Sequence, residues 1–110
     1  MLKKKDRTVE QYLRAGAYTC VFRALTTGHG FMPNLSAVLS HADTEKLIRL
    51  VRDIRTIFLK AETNMFKDHP QLTNKYLDVF ANDGGEQRNE VGEEIVRMAD
   101  EIARGLFQEE

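Results

Sequence analysis

The stretch from Asp43 to Lys67 constrains the fold most, because its apolar residues repeat with the period of one long α-helix. The main stripe follows alternating steps of four and three residues and consists of Leu47, Val51, Ile54, Phe58, Ala61 and Met65. The apolar surface continues onto two flanks, one with Ile48, Leu59 and Phe66 and the other with Leu50 and Ile57. A helix packed against one layer usually has an apolar face little wider than about 100°. We therefore expect this helix to be covered on two sides, either within its own domain or by another chain.

Helical patterns continue on both sides of this stretch. Thr8 to Gln11 form a capping box, which predicts a first helix from Val9 to about Thr27 that ends at Gly28. A short turn is predicted from Asn34 to Leu39, and the long helix is expected to begin after Ser40 or Asp43. Gly16 and Gly92 fall on or beside apolar faces, which predicts close packing at both positions.

A fourth helix is predicted after Pro70, with an inner face formed by Leu72, Tyr76, Val79 and Phe80, and a last helix near Asn89. The fold class is all-α, a compact helical bundle of four main helices plus one short helical turn. With 110 residues the chain is expected to form a single helical domain (1–110) with a short basic N-terminal arm (1–7).

Composition predicts a water-soluble protein in a reducing compartment. The chain is 42% hydrophobic and 30% charged, and it has no apolar run of the roughly 18 to 20 residues that cross a membrane, so no membrane association is expected. Cys20 is the only cysteine, which excludes an intrachain disulfide and favours a cytoplasmic location.

The residue types needed for catalysis or metal binding do not recur at useful spacings. Cys20 lies on the apolar stripe of the first helix, without the exposed position of a nucleophile. His29, His41 and His69 are separated, and there is no His-x-x-x-His or Cys-x-x-Cys pattern. We predict that the chain is not an enzyme and has no catalytic residues, no metal site and no cofactor.

The breadth of the apolar surface predicts a protein partner and a homodimer formed through the first and long middle helices. The expected function is that of a small non-catalytic regulator, adaptor or inhibitor. The candidate partner or dimer surface consists of Leu50, Arg52, Arg55, Ile57, Leu59, Glu62, Phe31 and Met32. Arg55 and Glu62 lie inside the apolar arc, where they either extend to the protein edge or meet opposite charges on another helix or subunit. Phe31 and Met32, in the predicted loop after Gly30, either anchor a partner or cap the bundle.

Charge supports an alternative function, a small DNA- or RNA-associated regulator. Residues 1–60 contain eleven Lys and Arg against five Asp and Glu, whereas residues 61–110 contain five against twelve. The candidate nucleic-acid contacts are Lys3, Lys4, Lys5, Lys46, Arg49, Arg52 and Lys60. Glu45 and Asp53 both stand four residues from Arg49, so part of this positive charge is neutralised within the helix. Basic and acidic helices that pack together would produce the same asymmetry.

Overall fold

The computed structural model describes residues 2–107, and 72% of the structure is helical. The four α-helices are α1 (Val9–Thr27), α2 (Phe31–Ser36), α3 (His41–Asp68) and α4 (Glu90–Phe107). Short 3-10 turns span Lys4–Asp6 and Asn74–Tyr76, and no strand occurs within the described residues. The predicted fold class, an all-α helical bundle, is confirmed.

Helix α1 lies at the centre of the bundle. It begins as the capping box predicts, because the Thr8 hydroxyl accepts a hydrogen bond from the Gln11 amide at 3.1 Å. One side of α1 is buried and packs mainly against α4. The buried apolar core consists of Tyr12, Ala17, Cys20, Met65, Val79, Phe80, Ile95 and Ala99.

The segment after Pro70 differs from the predicted fourth helix. A single 3-10 turn at Asn74–Tyr76 is followed by further turns, although Val79 and Phe80 are buried as expected. This segment lies against Gly16 of α1, where an added Cβ would be 2.7 Å from the Val79 carbonyl oxygen. The close packing predicted at Gly16 is confirmed, with an irregular segment as the neighbour.

Helix α2 begins three residues earlier than the predicted turn. Its N-cap is Gly30, and the Asn34 side-chain amide donates to the Gly30 carbonyl oxygen at 2.6 Å. Pro33 falls in the first turn, where its missing N–H leaves no intrahelical bond unmade. Phe31 and Met32 are therefore the first residues of a helix rather than part of a loop.

Helix α3 runs antiparallel to α1 and extends beyond it. It begins after Ser40, whose hydroxyl accepts from the Asp43 amide at 3.1 Å. Near its C-terminus Asp68 contacts Tyr12, and in its middle Arg55 contacts Thr27 at the end of α1. Residues of α3 that precede Arg55 therefore lie past the end of α1. Of the residues His41–Asp68, Met65 alone is buried.

Within residues 2–107, no helix is both long enough and apolar enough to traverse a lipid bilayer.

Candidate protein-interaction surface

A second apolar stripe on α3 faces solvent. We name it the seam, and its residues follow steps of three and four: Leu47, Leu50, Ile54, Ile57 and Ala61. Leu50 is 50% exposed, Ile54 39% and Ile57 60%, whereas Leu47 and Ala61 are half-buried. Alternating steps of three and four are the spacing with which a helix packs against another helix. The seam thus has the spacing of a helix contact, with Leu50, Ile54 and Ile57 exposed and Ala61 packed against the core of its own bundle.

The main stripe of α3 contacts the helix's own bundle. Phe58 packs edge-to-face against Phe22 with ring centroids 5.4 Å apart, and the Arg23 guanidinium lies 5.7 Å from the Phe58 ring centroid. Met65 is fully buried and Val51 is half-buried. The main stripe and the seam share Leu47, Ile54 and Ala61. The apolar arc is therefore covered around Phe58 and Met65 and exposed on both flanks, at Leu50 and Ile57 on one and at Ile48 and Leu59 on the other.

The structure separates the predicted surface of α3 into two sides. Leu50 and Ile57 belong to the seam, whereas Arg52 and Leu59 are exposed on another side of the helix. Residues two positions apart point about 160° away from each other on a helix. Leu59 therefore cannot share one flat contact with Ile57.

Arg55 contacts its own chain. Its guanidinium donates to the hydroxyl of Thr26 at 2.7 Å and to the hydroxyl of Thr27 at 3.0 Å. These bonds connect the middle of α3 to the last turn of α1. Glu62 is half-buried on α3, and burial, followed by the nearby Asp78 carboxylate, raises its pKa.

Phe31 and Met32 lie apart from the seam residues along the chain, in α2. Phe31 is exposed and Met32 is half-buried, while α2 itself packs against α1. One of these two side chains is thus accessible to a partner and the other is partly covered.

The candidate nucleic-acid contacts are all exposed, but they form two groups. Lys3, Lys4 and Lys5 lie at the N-terminus, where Arg7 is fixed to Asp68 at the C-terminal end of α3. Lys46, Arg49 and Arg52 lie in the N-terminal half of α3, and Lys60 lies between the groups. A rise of 1.5 Å per residue places Lys46 about 33 Å along the helix from Asp68.

Sequence reasoning missed a polar cluster that joins the N-terminal arm, α1 and the end of α3. The Tyr12 hydroxyl donates to the Asp68 carboxylate, and Arg7 Nε lies 2.8 Å from Asp68 Oδ2. His69 Nε2 lies 2.6 Å from the Arg7 carbonyl oxygen.

The hydrogen bond from Tyr12, followed by Arg7, lowers the pKa of Asp68. Burial, followed by the hydrogen bond to Asp68, raises the pKa of Tyr12 to about 12. These residues are far apart in sequence, and no local pattern indicates their contact.

An apolar groove of about 370 Å³ opens between the C-terminal halves of α1 and α4. Its apolar lining consists of Cys20, Val21, Ala24, Leu25, Gly84, Val96, Ala99, Ala103 and Leu106. Leu25 is 45% exposed and Leu106 64% exposed, and the charged residues of the lining are Asp83 and Asp100. Burial, followed by these two carboxylates, raises the pKa of the Cys20 thiol. The lining of the groove is therefore mainly apolar, and its charged groups are both carboxylates.

A shallower cavity of about 650 Å³ lies across the N-terminal half of α1 and the middle of α4. Its charged groups are paired with one another, because Arg97 binds Glu94 and Glu101 and Arg14 lies 3.5 Å from Glu10. Among residues 2–107, no group of three or more His, Cys, Asp or Glu side chains is arranged to hold a metal ion.

Comparisons of this chain with protein-family models, with curated proteins and with solved structures found no match.

Proposed function

We propose that this chain is a small non-catalytic regulator, adaptor or inhibitor that acts by binding protein and by self-association as a homodimer. The observation that carries the proposal is the seam, where Leu50, Ile54 and Ile57 are exposed along one side of α3. An exposed apolar row with helix-packing periodicity is typical of a surface that another helix covers.

The seam supplies part of a stable interface. Burying the exposed portions of Leu50, Ile54 and Ile57 contributes on the order of 1 kcal/mol each. A micromolar complex requires about 8 kcal/mol, and a standard interface buries roughly 800 Å² on each partner. The partner must therefore also contact surfaces beside the seam.

A non-catalytic role fits the paired charges of the larger cavity, where Arg97 is held by Glu94 and Glu101. A general acid or base needs a free group close to a bound substrate. A cytoplasmic location belongs to the same proposal, supported by Cys20, which is buried as a free thiol.

Hydrogen exchange at several protein concentrations tests the self-association. The amides of residues 47–61 should exchange more slowly as the concentration rises, because a partner would suppress local opening of the projecting helix. Amides of the Asn74–Tyr76 turn, which lies outside residues 47–61 and does not line the groove between α1 and α4, serve as the internal control. Exchange across residues 47–61 that is independent of concentration would contradict self-association through the seam.

A second candidate function is DNA or RNA association through the exposed basic residues. Lys46, Arg49, Arg52 and Lys60 are exposed on α3, and Lys3 to Lys5 are exposed at the N-terminus. Fluorescence anisotropy of labelled duplex and single-stranded nucleic acid tests this function. Binding whose logarithm falls linearly with the logarithm of salt concentration would support it. Flat anisotropy from low to physiological salt would contradict it.

A further inference from the structure

Two half-buried arginines, Arg23 of α1 and Arg55 of α3, lie where the last turn of α1 meets the middle of α3. The Arg55 guanidinium contacts the hydroxyls of Thr26 and Thr27, which follow Arg23 by about one helical turn. The Arg23 guanidinium lies 5.7 Å from the ring centroid of Phe58, three residues after Arg55 on α3. Each arginine therefore contacts the other's helix, and the two positive charges share one site.

Neither guanidinium is paired with a carboxylate of the described chain. No salt bridge within residues 2–107 includes Arg23 or Arg55. Burial, followed by the positive charge of Arg55, lowers the pKa of Arg23, and the Asp83 carboxylate offsets this only in part. Because two like charges in a partly buried site repel each other, this pair destabilises the folded chain until a counter-ion binds.

Much of the hydrogen-bonding capacity of the two guanidiniums is unused. Arg55 donates through Nη2 to the two threonine hydroxyls, and Arg23 donates through Nε to the Phe80 carbonyl oxygen at 2.9 Å. Nη1 of Arg55 and both Nη atoms of Arg23 donate to no atom of the described residues, and the buried Nε of Arg55 has no acceptor there either. A guanidinium has five N–H donors and no acceptor, so the pair is suited to a ligand with several acceptor oxygens.

We propose that Arg23 and Arg55 form a binding site for a phosphate group, either inorganic phosphate or the phosphate of a phosphorylated small molecule. The site contains none of the seam residues and goes beyond the proposed protein-binding function. A phosphate monoester carries a charge of roughly −1.5 to −2 near pH 7, which matches the two guanidinium charges. Its oxygens accept from several N–H groups at once, and the planar guanidinium fork binds phosphate through paired hydrogen bonds.

The end of α1 opposes an anion only weakly. The last carbonyls of a helix are equivalent to roughly half a negative charge, against two full positive charges on the arginines. The hydroxyls of Thr26 and Thr27 already donate to the Phe22 and Arg23 carbonyl oxygens of this turn. The same hydroxyls hold the Arg55 guanidinium in place, so less of its freedom is lost when a ligand binds.

An NMR titration of the full, ¹⁵N-labelled chain tests the site with inorganic phosphate and, separately, with adenosine monophosphate. Chloride keeps the ionic strength constant, so that screening of the surface charges does not change during the titration. The amide signals of residues 22–28 and 54–58 should shift along saturable curves for at least one ligand. Those of residues 93–101, in the acidic part of α4, should stay in place.

Three variants show whether the binding depends on the arginine pair. Arg23→Gln removes one of the two charges and should weaken the binding at least about tenfold. Arg23→Lys keeps the charge but loses the planar fork, so it should weaken the binding less. Arg52→Gln is the matched control, because it removes an equal charge at an exposed position of α3 and should leave the dissociation constant within about twofold. The NMR spectrum of each variant verifies that it remains folded.

The two ligands distinguish the sources of the phosphate group. Saturation by inorganic phosphate supports a free-phosphate site, and saturation by adenosine monophosphate alone supports a phosphorylated small molecule. The inference fails if neither ligand gives saturable shifts, or if Arg52→Gln weakens the binding as much as Arg23→Gln does. Equal affinity for acetate would also overturn it, because a singly charged carboxylate would then bind as well as phosphate.

Discussion

Asp68 connects three parts of the chain through a single carboxylate. It accepts a hydrogen bond from Tyr12 of α1 and pairs with Arg7 of the N-terminal arm. The ring of Tyr12 also packs edge-to-face against His69 and Phe80, at centroid distances of 5.9 and 6.3 Å. The first turn of α1 is thereby held against the end of α3.

Tyr12→Phe should lower the free energy of unfolding by about 2 kcal/mol. The substitution keeps the buried ring and removes a hydrogen bond to a charged acceptor, a bond that typically contributes roughly 1.5–3 kcal/mol. Urea denaturation measures the change. Tyr18→Phe is the matched control, because Tyr18 is exposed and its substitution should alter the free energy of unfolding by less than about 0.5 kcal/mol. Equal effects of the two substitutions would contradict this role for Tyr12.

The same cluster predicts a pH dependence at both extremes. The pKa of Tyr12 is raised to about 12, from roughly 10 in an unfolded chain, so its stabilising contribution is complete below pH about 10 and is lost as pH rises toward 12. The pKa of Asp68 is lowered, so its contribution is complete above roughly pH 4 and is lost as pH falls through the lowered value. Denaturation of wild type and Tyr12→Phe across pH should show their stability difference shrinking at each extreme. A difference that is constant with pH would contradict this account.

At the scale of elements, Gly16 lets α1 contact the irregular segment directly. A Cβ at position 16 would lie 2.5 Å from Val79 Cγ1 and 2.7 Å from the Val79 carbonyl oxygen. Gly16→Ala should therefore lower the free energy of unfolding by about 2 kcal/mol, although alanine favours helix. Gly105→Ala is the control, since no neighbouring atom of the described residues lies within 4 Å of the added Cβ, and it should raise stability by up to about 1 kcal/mol. Thermal denaturation that shows the same sign for both variants would refute the close approach at Gly16.

Arg55 joins α3 to α1 within one chain. Arg55→Ala removes the bonds to Thr26 and Thr27 and should destabilise the fold by about 1–2 kcal/mol. Arg52→Ala, at an exposed position three residues away, should change the free energy of unfolding by less than about 0.5 kcal/mol. Chemical denaturation of both variants checks the difference, and an unchanged midpoint for Arg55→Ala would show that these bonds contribute nothing.

The sequence predicted α1 and α3 correctly, because their capping residues and apolar periods can be recognised from neighbouring residues. The caps at Thr8 and Ser40 and the period of α3 are encoded within a few residues, and the structure has both helices. The segment after Pro70 was predicted as a helix because its apolar spacing fits one, but the structure has a 3-10 turn and further turns there, in contact with Gly16 of α1. The Tyr12–Asp68 contact and the groove join distant segments, which periodicity cannot detect.

At the scale of the whole molecule, the arrangement of α3 explains the breadth of its apolar arc. The molecule measures 47 Å along its longest axis, and the N-terminal half of α3 extends past the end of α1. The sequence predicted two-sided cover for this helix, and in the single chain the side with Phe58 and Met65 is covered while residues of both flanks, such as Ile57 and Leu59, are exposed. The sequence could not show how much of the arc would be covered, because that depends on where α1 ends relative to α3.

The most direct test of the central claim is the molar mass of the wild type and Ile57→Asp, measured by sedimentation equilibrium over a range of concentrations. Ile57 is 60% exposed, so an aspartate there should leave the monomer folded while placing a charge in any contact that covers the seam. We expect the wild type to shift from monomer to dimer as concentration rises and Ile57→Asp to remain monomeric over the same range. Equal masses of the two proteins at every concentration would contradict self-association through the seam.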